Sequence, residues 1–397
     1  MVWHIVGLKS INRPLSAMAY ILLGEKSSSI AEAISKTHFF RSIATMAGNK
    51  RRHILLGISI SVLVYCLYTL SRENYLEAPF ELPDYHPFLP LNETEDLCAS
   101  HEFAPYPNRS HPRKIYDLFL VNTELDWLEI RLNELGRHVD YFVIIEATHT
   151  FSGNRKPLHF KENFGLFESW RSKIIYHALS LEHLDGNRSW DREAYTRNSL
   201  LDVVFPSLVE RAAPEIGDVI IVSDLDEIPR PDTLTVLRNC EFPERIILWS
   251  RFFYYSFQWQ FTGQVGRNWR HPQATYYQGP EKTIKPDDLR MERAGWNFWN
   301  SSWHCSSCFS TVAEMTQKIE SFSHREFDKP QFKEPAEIVR RVRNGLDLFD
   351  REVNKFEKID SNDDIPQYLK ENQDRFNYIL DRDPPNANFR DYESEGE

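Results

Sequence analysis

The segment Val219-Ile-Ile-Val-Ser-Asp224-Leu-Asp226-Glu227-Ile-Pro229 runs an apolar stretch straight into three carboxylates within four residues. Side chains alternate in an extended chain, so Asp224 and Asp226 point to the same side. Two carboxylates converging past a strand end suit a hard divalent cation, which takes oxygen ligands. Such a cation can bridge a diphosphate and neutralise the charge growing on it as it leaves. A bare D-x-D is common and could be an acidic turn solvated at a strand end, but directly after a four-residue apolar strand, in a chain with a stem, it reads as a metal site. In Trp303-His304-Cys305-Ser306, the neutral imidazole of His304 could complete the shell of manganese or zinc, although a lone histidine is more often structural. Arg192, Glu193, Arg197 and Asn198 fall on neighbouring turns of one helix. That face could meet a phosphate or a uracil edge, or it could be an exposed salt-bridged surface.

These residues need a scaffold, and the pattern supplies one. Residues 115–121 (IYDLFLV) and 141–146 (YFVIIE) are apolar runs of strand length, with shorter ones at 174–177 and 219–222. Between the first two, Leu125, Leu128, Leu132 and Leu135 step by 3, 4 and 3, one face of a helix that Gly136 can stop. Residues 191–210 read as a further helix. Ile338, Val342, Leu346, Phe349, Val353 and Phe356 give the period of another, long one. Residues 246–257 form a long β-branched and aromatic stretch. Strands alternating with helices predict an α/β domain with a mostly parallel central sheet over residues 114–381. Ligands of such sheets bind at the carboxyl ends of the strands. Residues 382–397 are polar and acidic and are expected to fray as a tail.

The chain has 397 residues and a formal net charge of −11, with 58 Asp+Glu against 47 Lys+Arg. This acidity argues against a nucleic-acid partner, whose phosphates need clustered Lys and Arg. The charge is uneven. Residues 1–53 carry eight Lys/Arg and two Asp/Glu, a local +6, which leaves −17 for the remainder. Between them, residues 54–70 (ILLGISISVLVYCLYTL) hold no charge and no proline. Seventeen residues at about 1.5 Å each reach roughly 26 Å, the short end of a bilayer span. Lys50, Arg51 and Arg52 precede the run, so the positive-inside rule predicts a cytosolic tail (1–53), a signal anchor (54–70) and a lumenal body. Residues 71–113, with seven prolines, read as a lumenal stem. The N-x-S/T tripeptides at Asn92, Asn108, Asn187 and Asn300 all follow the apolar run, as do Cys98, Cys240, Cys305 and Cys308. Four cysteines allow three pairings. Cys305 and Cys308 lack a second zinc half-site and are expected in a structural disulfide.

Several blocks together carry a resemblance. They are residues 116–135 (YDLFLVNTELDWLEIRLNEL), residues 139–153 (VDYFVIIEATHTFSG), the Arg-Glu…Arg-Asn helix, Ser-Asp224-Leu-Asp226-Glu227-Ile-Pro and Trp303-His-Cys-Ser-Ser-Cys308. In this order, over roughly residues 115–325, they resemble glycosyltransferase family 17. The resemblance implies a GT-A-like, Rossmann-type nucleotide-sugar-binding domain, a UDP-GlcNAc donor and Mn²⁺. It also implies β-1,4 transfer to a mannose of a protein N-glycan in the Golgi. On that basis Asp224, Asp226 and His304 are expected to hold the metal, and Glu146, Arg197, Asn198 and Asp224 the donor. A β-product from an α-donor requires a single displacement with a carboxylate base. Glu292 and Glu227 are the candidates, with Glu281, Asp287 and Asp288 also on the expected acceptor side. The sequence departs from the family at Ser302, where a glycine usually stands, and in the aromatic stretch 295–300. A membrane-anchored, lectin-like protein without turnover is the rival from another class, and a phosphoester hydrolase a third. Oligomeric state is not legible.

Overall fold

The computed structural model describes residues 88–184, 188–263 and 266–393. The apolar run at 54–70 lies outside them. Among the described residues, no helix is long and apolar enough to cross a membrane. The four strands expected from their apolar content are in place: β2 (Ile115–Val121), β3 (Tyr141–Ala147), β4 (Ile174–Leu179) and β5 (Val219–Ser223). All residues of β3 and β5 are buried, because the sheet is covered on both faces. β2 pairs in parallel with both β3 and β5, and β3 pairs in parallel with β4 (Ile174–Leu179). The helix Leu125–Leu135 covers this half with Trp127, Leu128, Ile130, Leu132 and Leu135, all buried.

The sheet is mixed rather than mostly parallel. Its path runs β4-β3-β2-β5-β11-β8-β9-β13, where β8 is Ile246–Tyr254, β9 is Ser256–Phe261, β11 is Gln273–Tyr276 and β13 is Phe356–Lys358. Along that path the β4-β3-β2-β5 half is parallel and β11, β9 and β13 join antiparallel; off the path, β12 (Trp296–Ser306) pairs in parallel with β8. The long aromatic stretch at 246–257 is therefore two strands, turning at Tyr255 with φ of 65°. Two short strands, β6 (Glu227–Pro229) and β10 (Asn268–Trp269), flank the long β12 (Trp296–Ser306) and β8. β1 (Ala104–Pro105) and β7 (Cys240–Glu241) form a separate two-stranded ladder.

Other expectations are corrected. The helix expected over 191–210 ends at Ser199 and passes into a wider turn over Leu200–Val204. The long helix expected over 338–356 stops at Arg343. Gly345 sits at φ 59°, where a Cβ would meet the Trp259 ring, and Leu346 and Val353 are exposed. Their helical spacing reflects no continuous helix.

The stem boundary also moves. Residues 91–113 belong to the fold: helix Leu91–Ser100 is tied to the body by the disulfide Cys98–Cys240, and the buried Arg113 donates to the carbonyls of Gly217, Leu237 and Cys240. At the other end, residues 382–392 pack rather than fray. The Arg382 side chain is fully buried and donates to the carbonyls of Tyr255, Ala387 and Phe309. Asp391 accepts the first N–H groups of the helix Val312–Ser321, from Val312 at 2.7 Å and Ala313 at 3.0 Å.

Candidate active site

A cleft of about 400 Å³ opens at the carboxyl ends of β2, β3 and β5. This is the edge where an open α/β sheet receives its ligands. The residues after β5 form its floor: Asp224, Leu225 and Asp226. Their loop is shaped from beneath by Arg131, which projects from the helix Leu125–Leu135 and is fully buried. Arg131 forks onto both oxygens of Asp117 (2.7 and 2.6 Å) and donates to the carbonyls of Asp224, Leu225 and Glu227. A guanidinium meeting this many acceptors at once is the one side chain that can fix such a turn.

Asp224 is reached from two sides. Its Oδ1 accepts from Arg197 at 3.2 Å and its Oδ2 from Arg290 at 2.9 Å. Burial alone would raise this carboxyl, but the two guanidiniums hold it well below the usual carboxylate range. Asp226 faces His304, with Oδ1 3.7 Å from Nε2. Its carboxyl is also lowered, against the effect of burial, by His304 and Lys318. His304 stacks on Phe252 with ring centres 4.7 Å apart, and its Nδ1 is buried without a partner. Of the three residues expected to hold a metal, Asp224 and Asp226 line the cleft, whereas His304 meets Asp226 from outside its lining. They do not converge: among the described residues no group of three or more His, Cys, Asp or Glu is assembled to hold a metal ion.

Arg197 lines the cleft, as expected, and also pairs with Glu193 at 2.8 Å and Asp287 at 3.1 Å. Asn198 turns away; its Oδ1 accepts the backbone N–H of Asp287 at the start of the helix Pro286–Met291, which carries Arg290. It positions a cleft residue rather than facing the cleft.

Glu146 does not line the cleft, although it pairs at 3.6 Å with Lys156, which does. Alternation along β3 sends its neighbours Ile145 and Ala147 toward the cleft and Glu146 to the other face. There it is fully buried and accepts from the backbone of Phe160 and Lys161 and from the Tyr176 hydroxyl. Neither expected base fits. Glu227 is buried and saturated by the backbone N–H of Asp224, the Trp269 indole and Arg290. Glu292 lies on the surface outside the cleft lining, where the backbone N–H groups of Ala294 and Arg293 hold its carboxyl below the usual range.

Other cleft residues were not evident from the sequence. Arg290, Lys318, Lys156 and Trp269 all line it, and so does Asn122, whose Oδ1 is buried without a partner. Lys318, from the helix Val312–Ser321, pairs with Glu124 at 3.4 Å. Their separations from Asp224, from 45 residues for Trp269 to 102 for Asn122, leave no local spacing to detect. Asn122 ends a strand that was legible, and a polar residue just past β2 was the available signal.

The fold and the cleft together define an α/β protein that presents carboxylates and cations at the ends of parallel strands, an arrangement suited to a phosphorylated ligand. The chain belongs to glycosyltransferase family 17, whose model matches residues 54–384. It is 29% identical over 307 residues to the human protein named beta-1,4-mannosyl-glycoprotein 4-beta-N-acetylglucosaminyltransferase, covering 69% of this chain and 56% of that protein. Proteins of the same name from Rattus norvegicus and Mus musculus are each 28% identical, over 307 and 305 residues, covering 69% of this chain and 55% of theirs. The chain spans about half the length of the curated relatives it matches.

Proposed function

We propose that this chain is an inverting, GT-A-like glycosyltransferase that moves N-acetylglucosamine from UDP-GlcNAc, in β-1,4 linkage, to a mannose of a protein N-glycan. The supporting observation is the cleft at the strand ends, where Asp224 and Asp226 meet Arg197, Arg290 and Lys318. Family membership narrows the chemistry to glycosyl transfer, and the relatives' name suggests the sugar and the acceptor.

The cations lie where a diphosphate would be gripped, and fixed charge of this kind stabilises a leaving group without reorganising in the reaction. The unpartnered Oδ1 of Asn122 offers an acceptor to the imide N–H of a uracil. Trp190 is 46% exposed on the rim, edge-on to His324, and gives a sugar ring a flat apolar face.

Asp224, Asp226 and His304 would be the residues to hold a divalent cation such as Mn²⁺, since carboxylate oxygens and a neutral imidazole are donors that it accepts. When bound, the cation would offset charge on the departing UDP. The acceptor hydroxyl gives up its proton as it attacks the anomeric carbon, to a base within the cleft other than Glu227 or Glu292. Residues 54–70 would anchor the chain in the Golgi membrane with this domain in the lumen.

Incubating the chain with UDP-GlcNAc, Mn²⁺ and a biantennary N-glycan tests the proposal. UDP release matched by a product one GlcNAc heavier, β-1,4-linked to mannose by NMR, supports it. Glycan binding without UDP release supports the lectin-like alternative instead.

A further inference from the structure

Outside the cleft lining, β12 carries a second built surface. β12 pairs in parallel with β8, and the register shifts between Phe298 and Ser302, so Trp299, Asn300 and Ser301 bulge from the ladder. Trp299 is 56% exposed and stacks on Trp249, with ring centres 4.5 Å apart and planes 14° from parallel. Trp249 is held in turn by its indole N–H, which donates to Asn297 Oδ1 at 2.8 Å. One face of the Trp299 ring is therefore fixed by its neighbour and the residue remains open to solvent.

The next residue, Asn300, is exposed and sits at φ 53°, a conformation asparagine tolerates. Its Oδ1 accepts from Arg230 Nη2 at 2.8 Å. A guanidinium only donates, so this contact fixes which amide atom is the oxygen and leaves Nδ2 without a protein hydrogen bond among the described residues. Arg230 is itself immobilised: it pairs with Asp364 at 2.6 Å and lies 4.2 Å over the Trp303 ring. Asn300-Ser301-Ser302 is an N-glycosylation tripeptide. The Ser302 hydroxyl is buried and makes no hydrogen bond, so the folded protein makes no polar use of it.

We propose that Asn300 carries an N-linked glycan whose first N-acetylglucosamine packs on the open face of Trp299. This rests on the lumenal placement proposed above. In the modification, Nδ2 of Asn300 loses a proton and bonds to the anomeric carbon of an oligosaccharide carried on a polyisoprenyl diphosphate. The diphosphate lipid departs with the electrons of the broken bond. The C–H face of the pyranose then covers the indole, and the Arg230 contact restricts the linking side chain. The glycan acts as a structural part of the bulge, removing exposed apolar surface from water.

The full chain, expressed in a eukaryotic secretory host that leaves high-mannose glycans, provides the test. Peptide mapping after enzymatic release, which converts a glycosylated Asn to Asp, should find Asn300 occupied. Trimming to the single core GlcNAc should leave the melting midpoint unchanged, and removing that last sugar should lower it by about 2 °C. Trp299→Ala should abolish the second shift, Trp299→Phe should retain most of it, and Ser302→Ala should melt like the fully deglycosylated protein. An unmodified Asn300 beside an occupied Asn108 overturns the proposal and leaves the lumenal placement standing. No glycan at Asn92, Asn108, Asn187 or Asn300 overturns both. A shift of equal size in Trp299→Ala overturns the packing. Transferase activity, assayed on the same samples, reports separately on the catalytic proposal.

Discussion

Arg290 joins Asp224 to the buried Glu227, so it serves both the cleft and the fold. Removing it strands a buried carboxylate, and Arg290→Ala should lose on the order of 3–5 kcal/mol in urea unfolding. Asp226→Asn changes little volume and breaks no close guanidinium pair. It should leave the unfolding midpoint in place while lowering initial rates of UDP release roughly 100-fold or more. Unchanged rates in that variant would remove Asp226 from the chemistry. Asp224, Asp226 and Arg197 were legible because each lies in a local pattern: a carboxylate pair after an apolar strand, or a helical face. Arg131, Arg290 and Lys318 were not, since a charged residue in an amphipathic segment looks like solvated surface until the tertiary fold buries it. Glu146 was misread for a related reason. Its place at a strand end was right, but pleat alternation sent it to the far face.

Between elements, Asp364 fastens the C-terminal part of the chain to the sheet. It pairs with Arg230 after β6 and with Arg251 on β8, and it accepts the indole N–H of Trp303 on β12. Burial would raise its carboxyl, yet Arg230 and the Trp303 indole bring it down to about 2 from an ordinary 3.8. A depressed acid stabilises the native state above its unfolded pKa, and that contribution is lost as pH falls through the folded value. Unfolding free energy should therefore drop by roughly 2 kcal/mol from this group between about pH 4 and pH 2. Asp364→Asn should remove that part of the slope in urea titrations at stepped pH. The buried strands were readable as continuous apolar runs. The ends of the fold were not: residues 382–392 look polar in sequence, but Arg382 and Asp391 spend their charge on backbone groups inside the structure. Likewise, Gly345 ends a helix whose apolar period continues past it by coincidence.

For the whole molecule, the Cys98–Cys240 bridge closes a separation of 142 residues and holds the helix Leu91–Ser100 to the body. Replacing both cysteines with serine should cost about 2–5 kcal/mol in urea unfolding, with the cleft's UDP affinity unchanged. Chelation tests the proposed cation at the same scale. Activity should fall to background with EDTA and return with Mn²⁺, while the unfolding midpoint without nucleotide barely moves, because among the described residues no assembled donor cluster contributes to the ligand-free fold. The buried fork of Arg131 has one more consequence. Since it already fixes the backbone of residues 224–227, the cleft floor, where the proposed donor would bind, has little freedom left to lose. Donor capture should then resemble a key entering a cut lock, with amide exchange in that loop already slow before any nucleotide arrives.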